Sequence, residues 1–196
     1  LEQANSLSTP GLKDANCLEE HSKDLNREEG TRYRAIASRC NYLAIDRADI
    51  QFAAKEVCRK MSKPKKSDWI RLKRIGRYLK GVPRLVHEFR WQEKPPGIKA
   101  FSDTDWAGCL ETRRSTSGGA VMNGLHTLRT WSKTQATVAL SSGEAELAGI
   151  VRASAEGIGM YQVMKALGDE PAHKTTIYAD AAAARGMPQR RGVGKV

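Results

Sequence analysis

The stretch Glu93-Lys-Pro-Pro-Gly97 constrains the fold most, because it separates two different patterns of hydrophobicity. Adjacent prolines and a glycine interrupt both helices and strands. Apolar residues recur at helical spacing before this break and form short strand-like runs after it. The sequence therefore predicts a mainly helical unit over residues 31–94 and an α/β unit with a mixed sheet over residues 95–196. Residues 1–30 are polar and are predicted to form a partly disordered linker.

Three helices and one strand are predicted before the break. The first helix has an apolar stripe between Tyr33 and Cys40. Asp49 is predicted to cap the second helix, and Ser67 or Asp68 to cap the third. The run from Leu85 to Trp91 alternates between apolar and polar residues and predicts a strand.

Positive charge is concentrated in one segment of the chain. The formal net charge is +11, and residues 55–84 hold twelve Lys or Arg against Glu56 and Asp68. Such a concentration favours a polyanion partner, because phosphate contacts release counterions. A solvated helix face is the alternative interpretation. The candidate nucleic-acid contacts lie on the third helix and are Lys66, Arg71, Arg74, Arg77 and Lys80.

A strand, a hairpin, a long helix, a second strand and a short helix are predicted after the break. The first strand covers Ile98 to Asp105, and the long helix runs from about Glu144 to Leu167. The hairpin carries Asn123-Gly124, which signals a type I′ turn. The last strand covers Thr175 to Ala179, and an alanine-rich helix is predicted after Asp180.

Acidic residues stand on or beside these elements and predict a metal site. Asp103 and Asp105 lie two apart on a strand, so both can point to one face. Asp103 is the preferred ligand and Asp105 the less favoured one; the alternative is that one or both aspartates simply end the strand and form a turn. Asp180 follows the last strand, where a helix N-cap is the alternative role. Converging carboxylates are the ligands that Mg²⁺ needs for phosphodiester cleavage.

Two glutamates near the start of the long helix have different predicted roles. Ser141 and Glu144 have the spacing of a capping box, so Glu144 is expected to reach back to the helix start. Glu146 lies about 200° further round the helix. It shares a face with Gly149 and Ile150, which is typical of the side that packs on a sheet. A carboxylate there is costly unless it binds a cation or another partner, and this favours Glu146 as the third ligand.

Other classes of protein are poorly supported by the sequence. Cys17, Cys40, Cys58 and Cys109 have no spacing typical of a zinc site, and we expect reduced thiols. The sequence contains no apolar run long enough to predict a membrane span. The sequence begins with Leu1 in place of Met, and its first residues do not have the pattern of a signal peptide. We therefore expect it to be a piece of a longer chain.

Several motifs together resemble those of copia-type LTR-retrotransposon Pol polyproteins. The first group is similar to the end of the reverse transcriptase and consists of Tyr33-Arg-Ala-Ile, Asn41-Tyr-Leu-Ala, Asp49-Ile-Gln-Phe-Ala-Ala, Met61-Ser-Lys-Pro and Lys73-Arg-Ile-Gly-Arg-Tyr-Leu-Lys-Gly81. The second group is similar to the ribonuclease H domain and consists of Asp105-Trp-Ala-Gly, Arg113-Arg-Ser-Thr-Ser-Gly-Gly119 and Thr134-Gln-Ala-Thr-Val-Ala-Leu-Ser-Ser-Gly-Glu-Ala-Glu146.

The resemblance implies a ribonuclease H-like mixed sheet with flanking helices, after a small, mainly helical reverse-transcriptase connection segment. It places the catalytic and metal-binding acids on Asp103, Glu146 and Asp180. It implies two Mg²⁺ ions, with Mn²⁺ as a substitute, and cleavage of RNA in an RNA–DNA hybrid. Expected partners are the hybrid and the rest of the Pol polyprotein, with no membrane. The expected location is a cytoplasmic particle or the nucleus.

The family pattern also places a fourth acid on a helix beyond the stretch that ends at Val196. Weak or absent cleavage is therefore expected from this sequence. Two alternatives remain open at this stage. One is an inactive nucleic-acid-binding relic of such an element, and the other is a different nuclease or an integrase of the same fold.

Overall fold

A computed structural model of the chain describes residues 3–12, 23–169, 171–180 and 186. These residues form two compact units, Leu1–His87 and Glu88–Val196. The division lies seven residues before the predicted boundary at 94/95. The described part is mixed α/β, with four α-helices and a four-stranded mixed sheet. Cys17 and the predicted helix after Asp180 lie outside the described residues.

The first unit contains three helices and a short 3₁₀ turn. The helices are α1 (Arg27–Leu43), α2 (Gln51–Arg59) and α3 (Lys66–Gly81), and Ala48–Ile50 forms the 3₁₀ turn. The fully buried side chains of Tyr33, Ile50 and Ile75 form the centre of its core. The buried Tyr33 hydroxyl donates a hydrogen bond to the Val57 carbonyl, at 2.7 Å. Long-range packing therefore joins α1 to α2 through both apolar and polar contacts.

Two predicted helix caps are wrong, because the N-cap residues are Ile50 for α2 and Lys65 for α3, and Ser67 and Asp68 lie inside α3. The Asp49 carboxylate does not cap α2; it accepts hydrogen bonds from Arg47 and Tyr78 instead. Asp68 occupies the third position of α3, where its carboxylate accepts a hydrogen bond from the Lys65 backbone N–H at 2.8 Å. The Asp68 contact is the N3 half of a capping box, so Asp68 supports the start of α3 from inside the helix, whereas the Asp49 carboxylate is used by Arg47 and Tyr78.

The predicted strand between Leu85 and Trp91 is also wrong, because residues 82–95 contain no helix or strand. Within the described chain, no strand pairs with this stretch. Directly after Trp91, and within the second unit, the Gln92 side-chain NH₂ donates to the Asn123 carbonyl at 2.9 Å. Alternating hydrophobicity alone does not make a strand, since a strand needs a hydrogen-bonded neighbour.

The second unit is a mixed sheet with one long helix on one face. Its strands are β1 (Gly97–Asp105), β2 (Thr116–Asn123), β3 (His126–Thr134) and β4 (His173–Ala179), in the spatial order β3-β2-β1-β4. β1 and β4 are parallel, and the other pairs are antiparallel. Helix α4 (Ser142–Ala166) lies between β3 and β4 in the sequence. Ile98, Ala100, Val121 and Ala153 are buried between this helix and the sheet.

The β2–β3 hairpin turns one residue later than predicted. Asn123 still pairs with His126, so Gly124 and Leu125 are the two central residues. Gly124 has a φ of 59°, and Leu125 is not among the residues with positive φ. Glycine with positive φ at the first central position is the pattern of a type II′ turn, not of type I′.

Two further expectations concern the cysteines and the membrane. Cys40, Cys58 and Cys109 take part in no disulfide among the described residues. None of the helices in the described ranges is both long and apolar enough to cross a membrane.

Candidate metal centre and basic surface

Three carboxylates from three separate elements meet at one end of the sheet. One carboxylate oxygen from each of Asp103, Glu146 and Asp180 lies within 4.8 Å of the other two. These are the three acids that the sequence singled out as ligands. Their sequence separation is large, so only the packing of α4 and β4 against β1 brings them together.

The parallel pairing of β1 with β4 places the two aspartates side by side. Ser102 and Ala179 form the last pair of the register, and Asp103 and Asp180 follow them directly. Both aspartates are exposed. The predicted alternative role of Asp180, as the cap of a following helix, falls on residues outside the described ranges.

Helix α4 supplies the third carboxylate from its buried face. Glu146, Gly149, Ile150 and Ala153 are all buried, which confirms the predicted sheet-facing side of the helix. Glu146 is only 8% exposed. Its Oε2 atom has no hydrogen-bond partner in the described structure. A carboxylate in this position is therefore held where it lacks the solvation that its charge requires.

Electrostatics at Glu146 follow from this burial. Burial raises the pKa of the Glu146 carboxyl above its usual range, and the negative charges of Asp180 and Asp103 raise this pKa further. A hydrogen bond from the Thr104 backbone N–H acts in the opposite direction. Crowded like charges and burial both disfavour the ionised form, and a divalent cation would remove both costs.

Glu144 and Asp105 lie outside this group of carboxylates. The Ser141 hydroxyl accepts a hydrogen bond from the Glu144 backbone N–H at 3.2 Å, as the capping box predicts. The Glu144 carboxylate reaches back to the Leu140 N–H at 2.7 Å, one residue before the predicted position. The Asp105 carboxylate turns towards Gly108, in the loop that follows β1.

Sequence reasoning missed a residue that connects the two sides of the centre. The indole N–H of Trp106, just after β1, donates to the Ala139 carbonyl at 3.2 Å. Ala139 precedes the N-cap of α4, so this bond ties the end of β1 to the start of the helix that carries Glu146. The signal available in the sequence was an aromatic residue directly after Asp105.

The five predicted nucleic-acid contacts on α3 have different environments. Lys66 and Lys80 are exposed. The Arg71 side chain is 12% exposed and forms an ion pair with the buried Asp68 at 3.3 Å. The expectation that Arg71 lies on a solvent-facing stripe is therefore wrong, because its charge compensates a buried carboxylate.

Arg74, Arg77 and Lys80 contact residues near the N-terminus. Arg74 Nε donates to the Gly11 carbonyl, and Arg77 Nε donates to the Asn5 carbonyl, both at 2.7 Å. Lys80 Nζ donates to the Ala4 carbonyl at 3.0 Å. These contacts also correct the prediction of a linker for this stretch, because residues 3–12 pack on α3.

Comparisons with known proteins identify the family. The chain is 37% identical over 125 residues to the uncharacterized mitochondrial protein AtMg00810 of Arabidopsis thaliana, covering 63% of this chain and 51% of that protein. It is 35% identical over 150 residues to the retrovirus-related Pol polyprotein from transposon RE2 of the same plant, covering 76% of this chain and 10% of the polyprotein. It is also 33% identical over 124 residues to the secreted RxLR effector protein 161 of Plasmopara viticola, covering 63% of this chain and 87% of that protein.

No family model and no solved structure matches the chain. The chain spans about half the length of the mitochondrial relative and about a tenth of the polyprotein. The similarity to transposon polyproteins confirms the resemblance found in the motifs. The chain belongs to the family of copia-type retrotransposon Pol polyproteins.

Proposed function

We propose that the second unit is a ribonuclease H-like nuclease domain that cleaves the RNA strand of RNA–DNA hybrids with Mg²⁺. The observation that carries this proposal is the convergence of Asp103, Glu146 and Asp180, with one oxygen of each within 4.8 Å of the others. The mixed sheet supports the fold assignment, and the family supports the substrate class.

The three residues fit a hard divalent cation. All three ligand atoms are carboxylate oxygens, which Mg²⁺ prefers, and Mg²⁺–oxygen distances of about 2.1 Å place two ligands of one ion up to about 4.2 Å apart. Small side-chain rotations would therefore let all three share an ion. The unpartnered Oε2 of Glu146 is a further sign of fit, because a buried carboxylate oxygen otherwise lacks compensation.

Each residue has its own role in this proposal. Asp103 is held on a central strand of the sheet, so it would supply a fixed ligand. Glu146 would approach from α4, and the Thr104 backbone N–H would orient its carboxylate. Asp180 would complete the set from β4. When bound, Mg²⁺ supplies Lewis acidity that activates the attacking water and neutralises charge on the scissile phosphate.

The metal centre is tested first by ion binding. Titration with Mn²⁺, followed by electron paramagnetic resonance, should show binding to the wild-type chain. Asp103→Asn should weaken this binding by more than about tenfold, since even an outer-shell partner contributes about 10–100-fold. Asp105→Asn is the matched control, because it removes a carboxylate from the same strand outside the group. Equal binding by both variants would refute the proposed centre.

Cleavage is tested with labelled hybrid, single-stranded RNA and duplex DNA. The proposal expects Mg²⁺- or Mn²⁺-dependent cleavage of RNA in the hybrid, weak because three carboxylates form the described centre, and lost in Asp103→Asn. Cleavage of duplex DNA instead would favour another nuclease or an integrase of this fold. Mn²⁺ binding without any cleavage would favour an inactive binding module.

The binding module is a second candidate because of the charge distribution. Twelve basic residues within residues 55–84 are a footprint typical of phosphate contacts. This candidate expects hybrid binding that falls steeply with salt and does not depend on Asp103.

A further inference from the structure

The most unusual contact in the first unit joins the predicted nucleic-acid surface to the chain's own N-terminal residues. We call residues 3–12 the N-terminal strap, and we call Arg74, Arg77 and Lys80 the basic face of α3. The strap runs antiparallel to the helix, since Gly11 meets Arg74 and Ala4 meets Lys80. Four hydrogen bonds from the basic face end on the strap.

The acceptors in the strap are almost all main-chain carbonyls. Arg74 Nη2 also donates to the Thr9 hydroxyl at 2.7 Å. The strap contains no Asp or Glu between residues 3 and 12. The strap thus satisfies donors on the basic face through neutral acceptors, and it offers Arg74 and Arg77 no carboxylate within residues 3–12.

Phosphate is a better acceptor for these side chains than a carbonyl. Hydrogen bonds between ionised donors and ionised acceptors are roughly twice as strong as neutral ones, and Arg binds phosphate in a bidentate manner. Binding of these side chains to a nucleic-acid backbone would also release the counterions condensed on its phosphates, whereas contact with a neutral peptide releases none. Exchange of the strap for a nucleic-acid backbone is therefore electrostatically favourable at low salt.

The contact between strap and helix is incomplete, which makes exchange feasible. A cleft of about 670 Å³ lies there, and its lining includes Leu7, Leu12, Ile70, Lys73, Arg74 and Arg77. Lys73 is exposed and Ile70 is 48% exposed. The strap is therefore held chiefly by exposed or half-buried polar contacts, and such segments open at low cost.

We propose that the N-terminal strap and a nucleic-acid backbone compete for the basic face of α3. The strap would cover the three cations until a phosphodiester chain displaces it. This inference rests on the nucleic-acid partner in the proposed function, but it does not depend on the metal centre.

A reversible cross-link tests this competition without changing the charge of the protein. A Cβ added at Gly81 would lie 2.9 Å from Ser6 Cβ. A disulfide requires about 3.5–4.5 Å between the two Cβ atoms, so a small shift permits one here. The full chain with Ser6→Cys and Gly81→Cys, and with Cys17 and Cys109 changed to Ser, would hold the strap closed when oxidised. Mass spectrometry would verify the Ser6–Gly81 linkage, and Gly81→Cys alone controls for oxidation elsewhere.

The readout is the salt dependence of hybrid binding, measured by fluorescence anisotropy. Each phosphate contact contributes about 0.7–0.9 to the slope of log K against log salt, so locking three cations should reduce the slope by roughly 2–3. Over a fourfold change in salt this corresponds to roughly a 30-fold difference in relative affinity. Reduction of the disulfide should restore the steeper slope.

A double variant shows whether the two arginines bind nucleic acid only when the strap is open. Arg74→Gln with Arg77→Gln should flatten the slope in the reduced protein and have no further effect in the oxidised protein. Equal slopes for the oxidised and reduced forms would overturn the competition. Tighter binding by the oxidised form would also overturn it, because the strap would then be part of the binding surface. Mn²⁺ binding at Asp103, measured on the same samples, tests the proposed function separately.

Discussion

Replacement of Arg47 by Met should destabilise the first unit more than any surface substitution. The Arg47 side chain is 7% exposed and forms a two-pronged ion pair with Asp49, with Nε–Oδ1 at 3.0 Å and Nη2–Oδ2 at 2.7 Å. Nη2 also donates to the Val82 carbonyl at 2.9 Å, just beyond the end of α3. Arg47 thus links the turn before α2 to the C-terminal end of α3.

The magnitude follows from what Met leaves behind. Removing one partner of a buried ion pair costs about 3–5 kcal/mol, because the other charge remains buried. Asp49 keeps the hydrogen bond from the Tyr78 hydroxyl at 2.8 Å, and 17% of its side chain is exposed. Val82 is half-buried, so its freed carbonyl can bind water. We therefore expect a loss near the lower limit, about 3 kcal/mol.

A pH series separates the ion pair from simple packing. The hydrogen bonds from Arg47 hold the pKa of Asp49 below its ordinary value of 3.8, with a further contribution from Tyr78. A lowered pKa means that the stabilisation is complete above the unfolded-state pKa and is lost as pH falls through the folded-state pKa. The difference between wild type and Arg47→Met should therefore be constant near neutral pH and shrink below about pH 4.

Local opening energies from hydrogen exchange are the suitable assay, because a chain with two units has no single unfolding free energy. Peptides from α1 to α3 should lose protection, and peptides from the sheet should not. Arg47→Lys tests geometry at constant charge and should cost about 1.5–3 kcal/mol, since an ammonium cannot form the two-pronged contact. An Arg47→Met protein within about 0.5 kcal/mol of wild type would refute this reasoning.

Two further substitutions test other contacts in the same way. Tyr33→Phe should cost about 0.5–1.5 kcal/mol by removing one hydrogen bond to the Val57 carbonyl, which keeps the bond from the Lys60 backbone N–H; the loss is measured by exchange in α1 and α2. Burial raises the pKa of Tyr33, so the stabilisation from its neutral hydroxyl should be lost as pH rises above about 10, and Tyr33→Phe should abolish that alkaline loss. Ser141→Ala should cost about 1 kcal/mol by removing the cap of α4, and it should fray the turn that carries Glu146. Mn²⁺ affinity should then fall while exchange in β2 and β3 stays unchanged; a wild-type affinity would show that Glu146 is positioned without the cap.

Local rules were sufficient for much of the candidate site. The choice of Glu146 over Glu144 needed only the 100° rotation per residue of a helix and the capping box. The positions of Asp103 on a strand and of α4 after Ser141 followed from hydrophobic period and capping residues. These features depend on residues within a few positions of one another, so the sequence determines them directly.

Tertiary structure decided which of these local elements meet. The 4.8 Å group exists because β4 pairs with β1 in parallel, a choice between segments more than 70 residues apart. The stretch from Leu85 to Trp91 had a strand pattern, but a strand also needs a neighbour, and local periodicity cannot report whether one exists. Arg74 was predicted to face a polyanion, yet its guanidinium meets Gly11 across 63 positions of sequence. Local sequence determines the chemistry of a side chain and the face of the helix or strand on which it lies. The residue that this side chain contacts depends on the packing of distant segments.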